Sequence, residues 1–323
     1  MKSIKFKMAF VLAGLMFSFS ACKKEAPNIY NMFNDVSVTF SADHEYSIVD
    51  YKQVNDGDSI YINYTITSAK EDMSAVCIKW EGQDPPVAQI NLTDGDNKRS
   101  YTGVYKMRAD RAGESKYRVY ALNKQAAYIG DGYKSVTFNV KPDFTFTTNR
   151  RIYVPVTETN DVESFYSIKR AKSFSYLNGQ TASADIDFGI YATVAPEGDR
   201  NATLGLWFHI YSLSADPLPF GSHDFSSWTK RATLFSGQFG EAATFNSNKL
   251  TGNLLSSVNI EKQAKTKTIN LKETPKTSGG AIKPGSVVYF KTPEGKYGAI
   301  LFETMSRDEN EKLFVVVNVK VQN

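Results

Sequence analysis

Asp185 and Asp187 are the pair of residues whose spacing first invites a chemical reading. Two positions apart in a strand expected over residues 184–192, they share one face, with Ile186 and Phe188 on the other. Paired carboxylates hydrolyse glycosides when about 5 to 9 Å separates them across a cleft. A solvated strand face accounts for the same pair without any reaction. Downstream, Gly221-Ser222-His223-Asp224 sets three residue types of a hydrolase triad side by side. A triad is assembled in space from separate elements, so adjacency in sequence argues against one. The chain has no G-x-S-x-G, H-E-x-x-H, Walker or G-x-G-x-x-G motif. Catalysis is the minority reading, and the chain is expected not to be an enzyme, with no catalytic residue assigned.

Metal chemistry is poorly supplied. The histidines are His44, His209 and His223, and Cys77 has no neighbouring thiol, which excludes a cysteine-rich zinc site. The acidic turns at Asp56 and Asp94 do not fit a D-x-D-x-D-G calcium loop, and ordinary turn chemistry explains them. No metal site is expected.

Binding is better provided for. An irregular segment, residues 212–229, carries Pro217, Pro219, Phe220, Phe225 and Trp228. In the strand before it, Trp207 and His209 alternate onto one face while Leu206, Phe208 and Ile210 take the other. Trp207, His209, His223, Phe225 and Trp228 are therefore the candidate ligand-binding residues. Aromatic rings on loops present contacts to glycans or peptides, and equally they can fold back into a core.

The elements that position these residues begin after a targeting segment. Lys2, Lys5 and Lys7 precede an uncharged apolar run over residues 8–19, which is shorter than the roughly 20 residues a spanning helix needs. Ser20-Ala21-Cys22 then resembles the lipobox of bacterial lipoprotein signals, with Phe19 where Leu is usual. The resemblance implies a signal peptide over residues 1–21 and lipid attachment at Cys22. More than one acyl chain on that residue is enough for stable anchoring. The polar stretch from Lys23 to Asn28 reads as tether, placing residues 22–35 outside any fold. Charge directly after the cysteine resembles the surface-export signal of Bacteroidota lipoproteins, here reduced to Glu25. The expected location is the outer membrane, lipid-anchored and exposed at the cell surface.

Removing residues 1–21 removes three lysines and no acids, so the net charge falls from +4 to +4 − 3 = +1. Basic residues are dispersed, and nucleic-acid binding is not expected. With Cys22 lipidated, Cys77 is the one remaining thiol and no intramolecular disulfide can form. Burial alone must hold the fold.

Residues 36–142 alternate as half-buried strands at 36–40, 59–65, 75–80, 101–107, 116–122 and 135–140, with turns at Asn55-Asp56-Gly57-Asp58, Asp84-Pro85-Pro86, Asp94-Gly95-Asp96-Asn97 and Gly130-Asp131-Gly132. Short strands without helical periodicity predict an immunoglobulin-like sandwich. The stretch resembles the N-terminal Ig-like modules of Bacteroidota surface lipoproteins, which implies a spacer. Lys141-Pro142-Asp143 marks the expected boundary, since proline lacks a ladder donor.

Residues 143–323 form the second expected domain. Strands are expected at 151–156 and 164–168, a hairpin turning at Asn178-Gly179, strands at 184–192 and 202–211, and one short helical segment within 241–261 carrying Leu250, Leu254 and Leu255. Strands at 287–291, 297–303 and 313–321 close the chain, with the turn Thr292-Pro293-Glu294-Gly295 between the first two. The fold class is thus mainly β: two antiparallel β-sandwich domains, the second with at most one or two short helices.

Residues 285–298, with Thr292-Pro293-Glu294-Gly295-Lys296-Tyr297-Gly298 at the turn, are similar to the C-terminal hairpin of HmuY-like lipoproteins, many of which capture haem. Ala184-Asp185-Ile186-Asp187-Phe188 partly matches an Asp-Ile-Ala-Phe phrase of the same family, without the Trp that precedes it there. The resemblance implies haem as a ligand; His209 and His223 are the histidines of this domain that could hold it, and their positions match no ligand motif of the family. No cofactor is otherwise expected. The reading that emerges is a surface lipoprotein whose second domain binds a glycan, haem or a protein such as an outer-membrane receptor. The alternative is a structural adhesin or assembly subunit, and glycoside hydrolysis stands behind both.

Overall fold

The computed structural model describes residues 35–155, 161–215, 218, 223–239, 241–247, 249–257 and 281–323. Cys22, its preceding signal segment, and Pro217, Pro219, Phe220, Gly221 and Ser222 lie outside the described residues. By compactness the chain divides into two units. One holds the described residues up to Phe40 with Tyr64–Gly103 and Tyr117–Ser135, and the other holds Ser41–Asn63, Val104–Lys116 and the described residues from Val136 onward. Among the described residues no helix is long and apolar enough to cross a membrane.

The chain is mainly β, as its alternation predicts. The strands up to Val140 are β1 (Val36–Ser41), β2 (Tyr51–Val54), β3 (Ser59–Ser68), β4 (Ala75–Trp80), β5 (Ala88–Asn91), β6 (Ser100–Arg108), β7 (Gly113–Leu122), β8 (Tyr128–Gly130) and β9 (Ser135–Val140). They form a three-stranded sheet in the order β1-β3-β6 and a second sheet in the order β2-β9-β7-β4-β5, with β8 paired to β7. In β3, Ile60, Ile62, Tyr64 and Ile66 are buried on one face. Asn63 on the other face is buried as well, and its amide donates to the Ser47 hydroxyl at 2.6 Å. Cys77 on β4 is a free, buried thiol.

β9 ends at Val140 and β10 (Phe144–Tyr153) begins after Lys141-Pro142-Asp143. The strands that follow are β11 (Glu163–Ser167), β12 (Lys172–Ser175), β13 (Phe188–Val194), β14 (Leu206–Ser212), β15 (Leu234–Phe239), β16 (Val287–Lys291), β17 (Tyr297–Arg307) and β18 (Leu313–Gln322). They build a five-stranded sheet, β10-β18-β17-β16-β15, and a four-stranded sheet, β12-β11-β13-β14. Neighbouring strands in these two sheets are all antiparallel. One apolar core joins both sheets: Tyr166, Phe188, Ile190, Phe208 and Ile210 from the smaller, and Val288, Phe290, Ile300, Phe302, Val315 and Val317 from the larger. Alternation sets which residues enter it, because successive strand side chains face opposite ways.

Each sheet is also covered on its outer face. On the five-stranded sheet, Val287, Tyr289, Ala299 and Leu301 pack against Phe245, Leu250 and Leu255. These come from the short helices α2 (Ala242–Asn246) and α3 (Gly252–Ser257) and the link between them. The helical spacing expected of the leucines holds in part, since Leu250 and Leu255 are buried while Leu254 faces solvent. On the four-stranded sheet, Phe165, Tyr191 and Tyr211 pack against Phe174, Ala182, Ile186, Leu213, Phe225 and Trp228.

The hairpin expected at Asn178-Gly179 does not form. The chain instead makes α1 (Tyr176–Gly179), followed by a 3₁₀ helix, Gln180–Asp185. Ser175 caps it: its hydroxyl accepts from the Asn178 N–H at 3.3 Å, and the Asn178 side-chain Oδ1 accepts from the Ser175 N–H at 3.0 Å. A reciprocal cap of this kind stabilises a helix start and removes the asparagine from turn duty. Gly179 is needed for closeness: a Cβ there would lie 2.6 Å from Trp228 Cη2.

Candidate binding cleft

A cleft of about 420 Å³ opens in the β10–β18 part of the chain. Its walls are Thr145 and Thr147 from β10, Ile168, Lys169 and Ala171 from the β11–β12 turn, Asp187 just before β13, Arg231 before β15, Thr292, Glu294 and Lys296 from the β16–β17 turn, and Val321, Gln322 and Asn323. A cleft of about this size falls within the range of small-molecule sites.

Arg231 organises the polar wall. Its Nε donates to Asp187 Oδ1 at 3.0 Å, and its Nη1 and Nη2 donate to Glu294 Oε1 and Oε2, each at 2.7 Å. Nη1 also donates to the Ala184 carbonyl at 3.2 Å. Two parallel bonds from a guanidinium to one carboxylate fix both groups in a plane. Asp187 is fully buried, and its remaining bonds come from the Thr233 hydroxyl at 2.9 Å and the Ile168 N–H at 2.8 Å. Burial pushes its carboxyl upward in pKa, with Arg231 opposing. Burial also works against the Arg231 charge, but its carboxylate partners more than offset that and hold it protonated. Glu294, bonded to Arg231, is held down at about 2.

Two further groups matter. Thr292 is buried in the cleft wall, and its hydroxyl makes no hydrogen bond of normal geometry, though it lies near enough to the Glu294 carboxylate to favour its charge. Lys296 is exposed at the mouth, and Lys169, also exposed, pairs with Asp185 at 3.0 Å. Asp185 is shared with Arg170 at 2.7 Å, and its carboxyl is lowered in pKa chiefly by the Lys169 bond.

The expectation that Asp185 and Asp187 share a solvated strand face is therefore corrected. Asp185 closes the 3₁₀ helix, β13 starts only at Phe188, and Asp187 turns inward to meet Arg231. Ile186 and Phe188 are buried as expected.

The candidate residues Trp207, His209, His223, Phe225 and Trp228 lie elsewhere, at the outer face of the four-stranded sheet. His209 and His223 are 3% and 7% exposed, and Phe225 and Trp228 are 2% and 6% exposed. Trp228 stacks on Tyr176 with centroids 5.6 Å apart and meets Phe165 and Phe225 edge-on at 5.2 and 5.0 Å. His223 stacks on Phe225 at 5.8 Å. The described part of the irregular segment thus folds its rings onto the sheet rather than displaying them, because burying such rings is worth more than exposing them.

His209 stacks on Tyr191 at 4.7 Å, and its Nε2 lies 3.2 Å from the Thr193 hydroxyl. Burial lowers its pKa to about 4, so the ring is neutral at pH 7. Trp207 is half-buried. Along β14, Trp207 Nε1, His209 Nδ1 and Tyr211 Oη are buried without a hydrogen-bond partner. Neither histidine lines the Arg231 cleft. No group of three or more potential ligands for a metal ion occurs among the described residues.

Sequence reasoning missed Arg231 and Glu294. The usable signal was Asp187, an acid flanked by Ile186 and Phe188, both of which go to the core.

No protein-family model and no curated relative matches the sequence. Among solved structures, the chain is similar to fibronectin(III)-like modules of Clostridium thermocellum CbhA, with 17% identity, 33% of this chain and 47% of that one covered, and a TM-score of 0.22. The chain thus spans about half the length of those modules. It is also similar to a protein of unknown function from Bacteroides ovatus, with 8% identity, 90% and 91% of the two chains covered, and a TM-score of 0.20.

Proposed function

We propose that this chain is an exported, lipid-anchored binding protein of the bacterial envelope, displayed at the cell surface, whose Arg231 cleft captures a small polar ligand. The observation that carries the reading is the cleft itself. Hydroxyl, amide and charged groups converge there on a guanidinium already fixed by a buried acid. Such preorganised polar groups in a concave site give specificity at small ordering cost. Strands β1 to β9 serve as the spacer between membrane and cleft.

Binding is favoured over hydrolysis because neither acid of the Asp185, Asp187 pair is free to move a proton. Both Asp187 oxygens are engaged, one by Arg231 and Thr233 and the other by the Ile168 N–H, and Asp185 is held by Lys169 and Arg170. Haem draws support from the HmuY-like hairpin, but its two histidines are packed against Tyr191 and Phe225 and stand apart from the cleft walls. A glycan is the ligand class closest to the lining. Anchoring rests on Ser20-Ala21-Cys22.

Two experiments test the reading. Thr145→Trp sets a bulky ring on an exposed wall of the cleft, and calorimetric titration with mono- and disaccharides should lose at least tenfold in affinity while the melting temperature stays. Unchanged affinity would remove the cleft from the proposal. Cys22→Ala should move the protein from the membrane fraction to the soluble one, and palmitate labelling that persists in the variant would defeat the anchor.

A further inference from the structure

We infer that the ligand carries a carboxylate, and that Glu294 occupies the place of that carboxylate on Arg231 until the ligand displaces it. The inference rests on the reading of the cleft as a binding site and assigns the ligand's chemical class.

The two acids that hold Arg231 differ in how freely they can leave. Asp187 approaches from the protein interior, with a side chain 1% exposed, and bonds the Nε edge. Released, it would be a buried charge without its partner, which is costly. Glu294 approaches from the cleft, takes both terminal nitrogens, and its side chain is 52% exposed. Released, it returns to water at little loss, as exposed ion pairs do. One face of the guanidinium is therefore permanently engaged, and the other presents a two-nitrogen fork into a cleft behind an exchangeable acid. That fork matches any carboxylate in the same plane.

Glu294 is also placed to move. It sits in the turn closed by the Thr292 N–H to the Lys296 carbonyl and the Gly295 N–H to the Thr292 carbonyl, both at 2.9 Å. Gly295 has φ +86°, where a side chain would be strained, so the turn carries its acid on a short, exposed loop between two strands. Beside it the buried Thr292 hydroxyl lacks a normal hydrogen bond and lines the cleft. The Glu294 carboxylate is its near neighbour, and a ligand carboxylate in that place would meet the hydroxyl in the same way.

Charge points the same way. The cleft is lined by Lys169, Arg231 and Lys296 against Asp187 and Glu294. When Glu294 swings out, the surplus of cations grows by one, and an incoming carboxylate restores the pairing. A neutral ligand would leave it unmet.

The test uses the full-length protein, with D-glucuronate as the carboxylate probe and D-glucose as its neutral counterpart. Glu294→Gln keeps the turn and weakens the internal competitor, so glucuronate affinity should rise at least tenfold more than glucose affinity does, each measured against the native chain. Arg231→Lys, which loses the two-pronged geometry, should abolish glucuronate binding. Equal glucuronate affinity in native and Glu294→Gln protein overturns the inference, as does equal tightening for both sugars. If glucose binds and glucuronate binds neither protein, the cleft stands and the carboxylate class falls. If neither sugar binds either protein, both fall. Should Arg231→Lys fail to fold, the Glu294→Gln comparison still decides, because that side chain is exposed.

Discussion

The outer face of the four-stranded sheet and the Arg231 cleft belong to the same pair of sheets and are made of opposite materials. On the sheet face, Phe165, Tyr191 and Tyr211 are capped by Phe225 and Trp228, and even the two histidines present are buried against rings. In the cleft, threonine, lysine, arginine, acid and amide side chains outnumber the apolar Ile168, Ala171 and Val321, and no aromatic side chain contributes. A run of aromatics in a sequence marks the residues that gain most from leaving water. The polar groups that could meet a ligand are the costly ones to arrange, and the fold arranges them where several chain segments end together.

If that division is right, the largest loss should come from the sheet face. Trp228→Ala removes a ring packed on Tyr176, Phe165 and Phe225 and above Gly179. The cost should be about 3 to 5 kcal/mol of stability, as for other buried aromatic truncations. Urea denaturation reads it, and probe affinity in the protein that remains folded should not change. A loss below about 1 kcal/mol would return Trp228 to the candidate ligand contacts.

Next comes the cleft's own anchor. Arg231→Ala leaves Asp187 buried without its cation, and breaking such a pair costs about 3 to 5 kcal/mol. The lower end is expected, because the Thr233 hydroxyl and Ile168 N–H remain and a proton can neutralise the acid. Double substitution with Asp187→Asn should recover part of the loss. If the double variant is no better than the single, the pair is not coupled as the geometry implies.

The third test uses acid. His209 is lowered from 6.5 to about 4 by burial. Below pH 6.5 the unfolded chain takes up a proton that the folded chain refuses until about pH 4. Stability from this group is therefore complete above pH 6.5 and declines as pH falls toward 4, by no more than about 3 kcal/mol. His209→Gln should flatten that part of the stability profile. A profile identical to native would show that the ring is solvated.

These contrasts also say what the sequence could reveal. Strand alternation was legible because it is local: Ile60, Ile62 and Tyr64 go in together, and Phe208 and Ile210 part from Trp207 and His209 along β14. The turn at 292–295 was legible for the same reason. Asn178-Gly179 misled because its hairpin chemistry lost to a Ser175 cap and to a tryptophan that needs the glycine's missing side chain. The cleft was illegible because Asp187 and Arg231 lie 44 residues apart and Arg231 and Glu294 lie 63 apart, with no periodicity linking them. A spacing rule reaches a few residues, whereas an ion-pair network forms wherever strands end.

The smallest effect should belong to Glu294, and its smallness is what separates a ligand stand-in from a structural lock. If this acid held the β16–β17 turn in place, Glu294→Gln would destabilise the chain as much as losing Asp187 does. The carboxylate is instead half in water, and exposed ion pairs contribute about 0 to 1 kcal/mol, with a two-pronged arginine contact at the upper end. Its pKa of about 2, below the usual 4.5, means that the folded state holds the charge more firmly than the unfolded one. The contribution is thus full above pH 4.5 and fades as pH falls toward 2. Thermal melts of native and Glu294→Gln protein should differ slightly at pH 7 and converge near pH 2.5. A loss at pH 7 comparable to that of Arg231→Ala would make Glu294 part of the frame, and the cleft would then have no exchangeable acid for a ligand to replace.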